Sequence, residues 1–255
     1  MPAYSPLGFS GRDIQGLLIE GFEYEPVIDG ACNFEYMPEL VSREGHVKDI
    51  DCVIYRRPLD APLPAIFERL YERVISKKAY QFLEFTSRKQ LKPYIVPILR
   101  MVNESFSGIY GFVPMDEVEM TDLAERYLPL IDPRFVKVVP KNSAVVGFLV
   151  SIPNPCKGLQ KSRGRFFPFG IPHILYALRH AETVYTLLGA VHPDCQKQGL
   201  DICLGLSTFR SAEKAGMKSV DTHVVMEKNS DMMAEFNRYG AYLIKRFRIY
   251  HKPLS

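Results

Sequence analysis

The sequence lacks any apolar run that approaches the roughly 20 residues which a helix needs to cross a bilayer. Residues 1–10 lack the basic start and the apolar run of a secretory signal peptide. The excess of positive charge is also small, at +3, which by itself indicates no nucleic-acid partner. From these absences we expect neither a membrane nor a nucleic acid as a partner.

Cysteine is scarce and scattered, with five residues in 255 and no CxxC pair. This usage is typical of reduced thiols in a cytoplasm rather than of a disulfide framework, so we expect a cytoplasmic location. Hydrophobic residues make up 47% and charged residues 24% of the chain, as in ordinary folded proteins. The length predicts one large domain, or one domain with a smaller piece.

Apolar periodicity and turn residues divide the chain into helices and strands. Helices are predicted over 33–44, 65–76, 89–106, 116–130, 172–180, 199–215 and 231–239. Strands are predicted over 47–57, 80–86, 134–140, 144–152, 183–191, 219–226 and 241–250, with a loop over 154–170. The order from residue 80 onward predicts an α/β fold with a mixed sheet.

The most informative segment is 187–206, which reads LLGAVHPDCQKQGLDICLGL. A strand ends at Val191, His192 and Pro193, a short polar loop follows, and Gly199 opens a long amphipathic helix. Free backbone N–H groups and the helix dipole converge at such a helix start, which favours an anionic phosphate. A glycine in the loop also lets a ligand approach the backbone closely. The segment therefore predicts a phosphate-binding loop.

This loop resembles the acetyl-CoA signature of the GNAT acetyltransferase superfamily, in which Gln/Arg-x-x-Gly-x-Gly/Ala follows a strand. The matching residues are Gln196, Lys197, Gln198, Gly199, Leu200 and Asp201. The fragments GRFFPFG (164–170) and RFRIYHKPL (246–254) are similar to a bacterial subgroup of large GNAT-like proteins with two GNAT-like halves. The resemblance implies the GNAT acyl-CoA N-acyltransferase fold, with a mixed, mostly antiparallel central sheet, and acetyl-CoA as the cofactor.

The resemblance also implies how the cofactor is held and used. A substrate amine attacks the thioester directly, while backbone N–H groups near Ala190 and Val191 hold the thioester oxygen. Asn229, after the next strand, matches the residue that contacts the pantetheine arm. Glu227 is the candidate base for the amine, and the alternative is a solvated carboxylate at a strand end.

Two positions depart from the family pattern. Asp201 stands where the signature has a small residue, and a carboxylate turned toward the pyrophosphate would repel it, so Asp201 is expected to point away or to weaken binding. Phe236 stands where the family often has a Tyr that protonates the leaving thiolate. Tyr239, three residues further along the same predicted helix, is the candidate replacement acid, and packing is its alternative role.

Other chemistry near the loop has less support. Cys195 with His192 would need a third orienting group to form a nucleophilic site, and none is visible. Two such residues do not make a metal site either, so no metal is expected. The cations between Lys157 and Arg165 precede Phe166, Phe167 and Phe169. The alternatives for that segment are a solvated loop, a lid or contact for the CoA 3′-phosphate, and RNA binding.

The N-terminal segment resembles the end of a first GNAT-like half, in particular PLGFSGRDIQGLLIEGFEYEP at 6–26. We therefore predict a remnant of that half over 1–60, a linker helix over 61–78 and a GNAT acetyltransferase-like domain over 79–255. The stretch 45–59 also aligns with 240–254 without gaps, with five identities in fifteen positions. This alignment predicts that 33–59 and 228–254 are equivalent helix–strand units, and that 47–57 lies in a β-ladder.

Two functions remain open. The first is an acetyl-CoA-dependent N-acetyltransferase that acts on an amine of a small molecule or a peptide. The second is a GNAT-like domain with little or no catalysis that serves as a CoA-binding or assembly module, which the departures at Asp201 and Phe236 favour. A homodimer is compatible with either function.

Overall fold

The computed structural model of the chain describes residues 2–6, 14–77, 79–107, 112–128, 131–142, 144–165 and 170–253. Contacts group the chain into two compact units. Unit 1 comprises Met1–Pro58, Pro153–Tyr185 and Asp221–Ser255, and unit 2 comprises Leu59–Ile152 and Thr186–Val220. Each unit is therefore built from separated stretches of the sequence.

The elements alternate along the chain as the sequence predicts. The helices are α1 Met37–Arg43, α2 Ala65–Ser76, α3 Arg88–Phe106, α4 Glu117–Tyr127, α5 Cys156–Lys161, α6 Gly170–Arg179, α7 Leu200–Lys214 and α8 Ser230–Arg238. The strands are β1 Pro2–Ser5, β2 Leu17–Glu20, β3 Val47–Pro58, β4 Leu83–Glu84, β5 Val136–Lys141, β6 Ala144–Pro153, β7 Thr183–Val191, β8 Ser219–Asp221, β9 Val225–Met226 and β10 Tyr242–Pro253. The predicted class, an α/β fold with a mixed and mostly antiparallel sheet, is confirmed.

The two long strands β3 and β10 form the centre of unit 1. They pair with each other antiparallel from end to end. Strands β1 and β2 add to β10, and β9 adds to β3, all antiparallel. The side chains of Ile54, Phe247 and Ile249 are almost wholly buried, which is what an apolar stripe on a covered sheet face predicts. The prediction that 47–57 is a strand in a ladder is confirmed.

The helix–strand units of the predicted repeat share the bounds of their strands and the ends of their helices. Adding 195 to the bounds of β3 gives the bounds of β10. Helices α1 and α8 also end at equivalent residues, Arg43 and Arg238.

The turns between helix and strand are equivalent as well. Gly45 and Gly240 have positive φ angles, 82° and 73°, the left-handed conformation that glycine adopts without strain. Their N–H groups donate to the carbonyls of Ser42 and Asn237, both at 3.0 Å. This is the glycine-capped helix end that satisfies otherwise orphaned carbonyls. The same cap therefore closes both helices before each strand begins.

In unit 2, strands β7, β6, β5 and β4 lie side by side in that order. The β4–β5 and β5–β6 pairings are antiparallel. Helix α3 contributes buried apolar residues to the main core of this unit, where Val138 and Phe148 are fully enclosed. Pro93 and Pro97 lie inside α3 without ending it.

Several predicted boundaries were wrong. Residues 154–170 contain the helix α5 and the start of α6 rather than a continuous loop. The strand predicted over 219–226 is divided into β8 and β9, because residues 222–224 leave the strand conformation. The strand predicted over 80–86 is only two residues long. Helix α1 begins at Met37 rather than at residue 33, with a proline in its first turn, where that residue is tolerated.

Some predictions stay untested. Residues 7–13 of the N-terminal fragment, and Phe166, Phe167 and Phe169, lie outside the described residues. The division into 1–60, 61–78 and 79–255 concerns the ancestry of the segments and stays a prediction. Among the described residues, no helix combines the length and the apolar character that crossing a membrane would demand.

Candidate functional site

The predicted cofactor loop has the strand–loop–helix form in unit 2. Strand β7 carries Ala190 and Val191 at its end, and a one-turn helix at Pro193–Cys195 leads into the loop. The side-chain amide of Gln196 donates to the Val191 carbonyl at 3.2 Å. The loop is therefore tied back to the strand that precedes it.

The backbone of the loop is turned sharply at two positions. Lys197 and Gly199 have φ angles of 59° and 84°, both left-handed, and Gly199 is the residue that precedes α7. In the described part of the chain, no hydrogen bond uses the backbone N–H groups of Lys197, Gln198 or Gly199. The first N–H groups of α7 also lack an intrahelical acceptor, as at any helix start. Several donors are thus available to an anion at this point.

The polar side chains of the loop are exposed to solvent. Asp201 is exposed in the first turn of α7, and Lys197 and Gln198 are exposed as well. Leu200 is fully buried with Cys195 in a cluster of apolar residues beneath the loop. The loop is therefore anchored from below, while its polar residues face the solvent.

Helix α2, predicted as a linker, supports the loop within unit 2. A Cβ added to Gly199 would lie 3.0 Å from the Cγ2 of Val74, closer than ordinary van der Waals contact, so the Val74 side chain would have to shift to admit a larger residue. Arg210 of α7 forms an ion pair with Glu68 of α2 and lies 4.3 Å from the centre of the Tyr71 ring. The apolar spacing of α2 predicts a helix but not the element on which that helix packs, so this position of α2 could not be predicted.

Tyr80 is a loop contact that sequence reasoning missed. Its hydroxyl donates to the side-chain oxygen of Gln198 at 2.7 Å, and the Lys141 ammonium lies 5.1 Å from its ring centre. The pKa of Tyr80 lies above its usual value because the hydroxyl contacts the Cys195 thiol, and burial adds to this effect. Tyr80 therefore stays a neutral hydrogen-bond donor to the loop at physiological pH.

The alternative pairing of Cys195 with His192 gains no support from the geometry. Cys195 is buried in the apolar cluster beneath the loop. The Nδ1 of His192 instead accepts a hydrogen bond from the backbone N–H of Asp194 at 3.3 Å. No group of three His, Cys, Asp or Glu side chains within the described ranges is arranged to hold a metal ion.

The predicted base Glu227 lies in unit 1, within a cluster of charged side chains. Its carboxylate contacts the ammonium of Lys48 at 2.5 Å and the guanidinium of Arg246 at 3.5 Å. Its backbone N–H donates to the Asp51 carbonyl at 2.9 Å, which fixes Glu227 beside β3.

Asp51 is the buried centre of this cluster. Its carboxylate accepts two hydrogen bonds from Arg248, at 2.7 and 2.9 Å, and contacts Lys48 at 3.1 Å. Burial alone would raise the pKa of Asp51, but the hydrogen bonds from Arg248 and Lys48 outweigh it and the pKa is lowered. Strand β3 of the predicted remnant thus supplies charged neighbours to the candidate base.

The other predicted residues of unit 1 lie on or next to helix α8. The side chain of Asn229 caps the helix by accepting from the Met232 N–H at 3.2 Å. Phe236 is buried and lies 5.5 Å from the ring of Tyr55, centre to centre. Tyr239 is buried as well. The loop residues 190–201 belong to unit 2 and these residues to unit 1, and their predicted roles stay predictions.

No protein-family profile matches the sequence. The structure is similar to a GCN5-related N-acetyltransferase from Sphaerobacter thermophilus, with a TM-score of 0.57 and 13% identity, over 92% of this chain and 58% of that one. It is also similar to a tandem GNAT protein from the clavulanic acid biosynthesis pathway, with a TM-score of 0.51 and 12% identity, over 94% and 64%. The chain has the GNAT fold.

A third GNAT structure, the glucosamine N-acetyltransferase region of a fungal multi-domain β-N-acetylglucosaminidase, matches with a TM-score of 0.53 and 12% identity. That match covers 84% of this chain and 22% of the fungal one. At these identities the likeness concerns the GNAT fold alone.

Two curated bacterial proteins resemble the sequence over almost its whole length. The bacterial ceramide synthase of Caulobacter vibrioides is 23% identical over 99% of this chain. Protein YghO of Escherichia coli is 22% identical over 98% of it. The chain spans 67% and 65% of the lengths of these two relatives.

Proposed function

We propose that this GNAT-fold chain is an acyl-CoA-dependent N-acyltransferase, with acetyl-CoA as the simplest donor. The observation that carries the proposal is the β7–α7 loop, whose left-handed Lys197 and Gly199 leave backbone donors available above a buried anchor. In this proposal the N–H groups of 197–201 bind the pyrophosphate of CoA, which is the anion that such a helix start favours.

The reaction that follows is a direct transfer. The amine nitrogen attacks the carbonyl carbon of the thioester, a C–N bond forms, and the C–S bond breaks to release the CoA thiolate. The N–H groups near Ala190 and Val191 would stabilise the developing oxyanion. Glu227 would accept the proton that the amine loses, and Tyr239 would supply one to the thiolate.

The acceptor class is suggested by the relative with a named activity. A ceramide is an N-acylated long-chain amine, so a ceramide synthase forms the same amide bond from a long-chain acceptor. Because the similarity to the Caulobacter protein covers 99% of this chain, long-chain amino alcohols are the acceptors that we propose first. A longer acyl-CoA then becomes a natural alternative donor to acetyl-CoA.

A second candidate function rests on two specific residues. Phe236 has no hydroxyl to donate to a thiolate, and Asp201 places a carboxylate in the first turn of α7. A domain that binds CoA without transfer, or that serves in assembly, is compatible with both.

One experiment separates these functions. The purified chain is titrated with acetyl-CoA and with acetyl-pantetheine, which has the same thioester but no pyrophosphate, and then incubated with acyl-CoA and a long-chain amino alcohol. Micromolar affinity for acetyl-CoA, much weaker binding of acetyl-pantetheine, and an amide product by mass spectrometry are expected. Binding without product identifies a CoA-binding module without catalysis. No binding at millimolar ligand rejects the N-acyltransferase and favours the assembly module.

A further inference from the structure

Helices α5 and α6 of unit 1 pack closely, and this contact defines which side of α6 is buried. A Cβ at Gly158 would lie 2.6 Å from the His173 carbonyl oxygen and 2.9 Å from the Cβ of Ala177, so only glycine fits between the helices. Ile174 and Ala177 are buried on this side of α6. The opposite side of α6 is therefore turned away from α5.

That outer side of α6 is apolar and uncovered. Ile171, Leu175 and Tyr176 expose 43%, 42% and 64% of their surface. Ile171 and Leu175 are four residues apart, so they lie one above the other on the same line of the helix. A helix whose outer side met only water would carry polar residues there. The exposed stripe indicates that something else meets this side of α6.

All the charged side chains in the segment that includes α6 are positive. Residues 156–180 contain five lysines and arginines and no Asp or Glu, whereas the net charge of the whole chain is only +3. One of the five, Lys157, pairs with Glu25 at 2.8 Å. The other four are exposed and form no ion pair within the described part of the chain: Lys161, Arg163, Arg165 and Arg179.

Arg179 joins the apolar stripe to positive charge, because it follows Leu175 by four residues on the line that Ile171 begins. The other three cations lie earlier in the same segment, Lys161 at the end of α5 and Arg163 and Arg165 just after it. We call Ile171, Leu175 and Tyr176, together with the four exposed cations of this segment, the α6 face.

We propose that the α6 face docks on the surface of a membrane that contains anionic lipids. Apolar side chains of an amphipathic helix enter the boundary between headgroups and acyl chains, while lysines and arginines beside them meet the lipid phosphates. Each such cation near an anionic surface raises the partition coefficient about fivefold. This inference replaces the expectation that the protein has no membrane partner, and it does not depend on the proposed enzymatic activity.

Vesicle flotation tests the proposal. The protein is mixed with vesicles of phosphatidylcholine, or of phosphatidylcholine with phosphatidylglycerol, and the bound fraction is measured at low and high salt. Binding is expected only to the vesicles with phosphatidylglycerol, and salt should weaken it. The double variant Ile171→Ser, Leu175→Ser should lower the partition coefficient by about tenfold or more. The triple variant Lys161→Glu, Arg163→Glu, Arg165→Glu should lower it about a hundredfold or more.

Matched control variants distinguish docking through the α6 face from non-specific adsorption to vesicles. Phe34 and Tyr36 are 71% and 58% exposed but lie beside Glu35 and Glu39, so Phe34→Ser with Tyr36→Ser should leave vesicle binding unchanged. Lys89→Glu with Lys92→Glu removes exposed cations from α3 and should cost far less than the triple variant.

Three results would overturn the proposal. The first is no binding to either vesicle, and the second is equal loss of binding in the α6 variants and the controls. The third is capture by immobilised polyglutamate without vesicle binding, which would assign the face to an acidic protein instead.

Discussion

Cys52 of β3 and Phe247 of β10 face each other at the midpoint of a symmetric ladder. Phe247 is the residue that the alignment of the two repeat segments places opposite Cys52, at an offset of 195. Pairs on either side exchange roles under the same offset: Asp51 pairs with Arg248 and Val53 with Arg246, while Val47 pairs with His251 and Arg56 with Tyr242. The two strands are thus related by a local pseudo-twofold axis through the Cys52–Phe247 pair, as two copies of one helix–strand unit would be.

The symmetry predicts that equivalent buried residues contribute similarly to stability. Ile54 and Ile249 are equivalent and both are 0% exposed. Ile54→Ala and Ile249→Ala should each lower the free energy of unfolding by about 2–5 kcal/mol, because each leaves a cavity in the covered face of the ladder. Urea unfolding measures both values.

The equivalent exposed pair supplies the control. Val47 and Tyr242 are 52% and 45% exposed, so Val47→Ala and Tyr242→Ala should each change the free energy of unfolding by roughly 0.5 kcal/mol or less. A large loss of unfolding free energy in Ile249→Ala with none in Ile54→Ala would show that β3 contributes little to the stability of the unit. That result would contradict the interpretation of β3 and β10 as equivalent strands.

A second prediction concerns the cofactor loop. Gly199→Ala should abolish measurable affinity for acetyl-CoA, because the substitution strains a left-handed residue and places a Cβ 3.0 Å from Val74. The control is Gly216→Ala, which has a similar positive φ of 73° and no atom within 4 Å of the new Cβ. Both variants should lose about 1–2 kcal/mol of stability through backbone strain. If calorimetry finds equal CoA affinity in the two variants, the cofactor binds elsewhere.

A third prediction tests the candidate base. Glu227→Gln should lower the turnover number by about 10²–10⁴, because the amide cannot accept the proton of the amine. Glu20 offers a matched control, since its carboxylate contacts the same Arg246 at 3.1 Å. Glu20→Gln should preserve the turnover number. Similar turnover numbers in the two variants would show that Glu227 is a member of the ion cluster and not the catalytic base.

A fourth prediction concerns pH and the buried carboxyl of Asp29. Burial raises the pKa of Asp29 above 3.8, although the Tyr185 hydroxyl, which donates to it at 2.5 Å, opposes the shift. The folded state therefore holds this proton more tightly than the unfolded state, so the contribution of Asp29 to stability falls as pH rises from about 4 through the folded pKa.

Asp29→Asn keeps an oxygen acceptor for Tyr185 and cannot titrate. The difference in unfolding free energy between the variant and the wild type should grow in favour of the variant across that window. Tyr185→Phe should widen the window, because it removes the hydrogen bond that lowers the pKa of Asp29. A difference that stays constant with pH would contradict the assignment.

The longer helices and strands of this fold could be predicted from the sequence. Apolar spacing predicted α2 at its observed bounds, and the composition of residues 183–191 predicted β7. Alignment of 45–59 with 240–254 predicted that β3 lies in a ladder, since five shared residues preserved the glycine turn and the strand that follows it.

Features that depend on distant partners were not readable in the same way. Residues 154–170 are predicted as a loop because they are rich in Gly, Pro and cations, yet Cys156–Lys161 forms α5, whose Gly158 packs closely against α6. Tyr80 contacts Gln198 across 118 residues of sequence, and nothing near either residue indicates the pairing. Such side chains acquire partners only when the chain has folded, which is why Glu227 could be singled out but its ion cluster could not.

The long reach of the β3–β10 pairing also determines when unit 1 can assemble. A chain loop of 195 residues separates Cys52 from Phe247, so their encounter carries a greater entropic cost than the closing of a hairpin. On the ribosome, β3 emerges well before its partners β9 and β10 have been translated, so both edges of the nascent strand stay unpaired. Pairing of such separated segments is slow. Strand β3 therefore stays an open edge, on which other chains could pair, until β10 has been made and has paired with it.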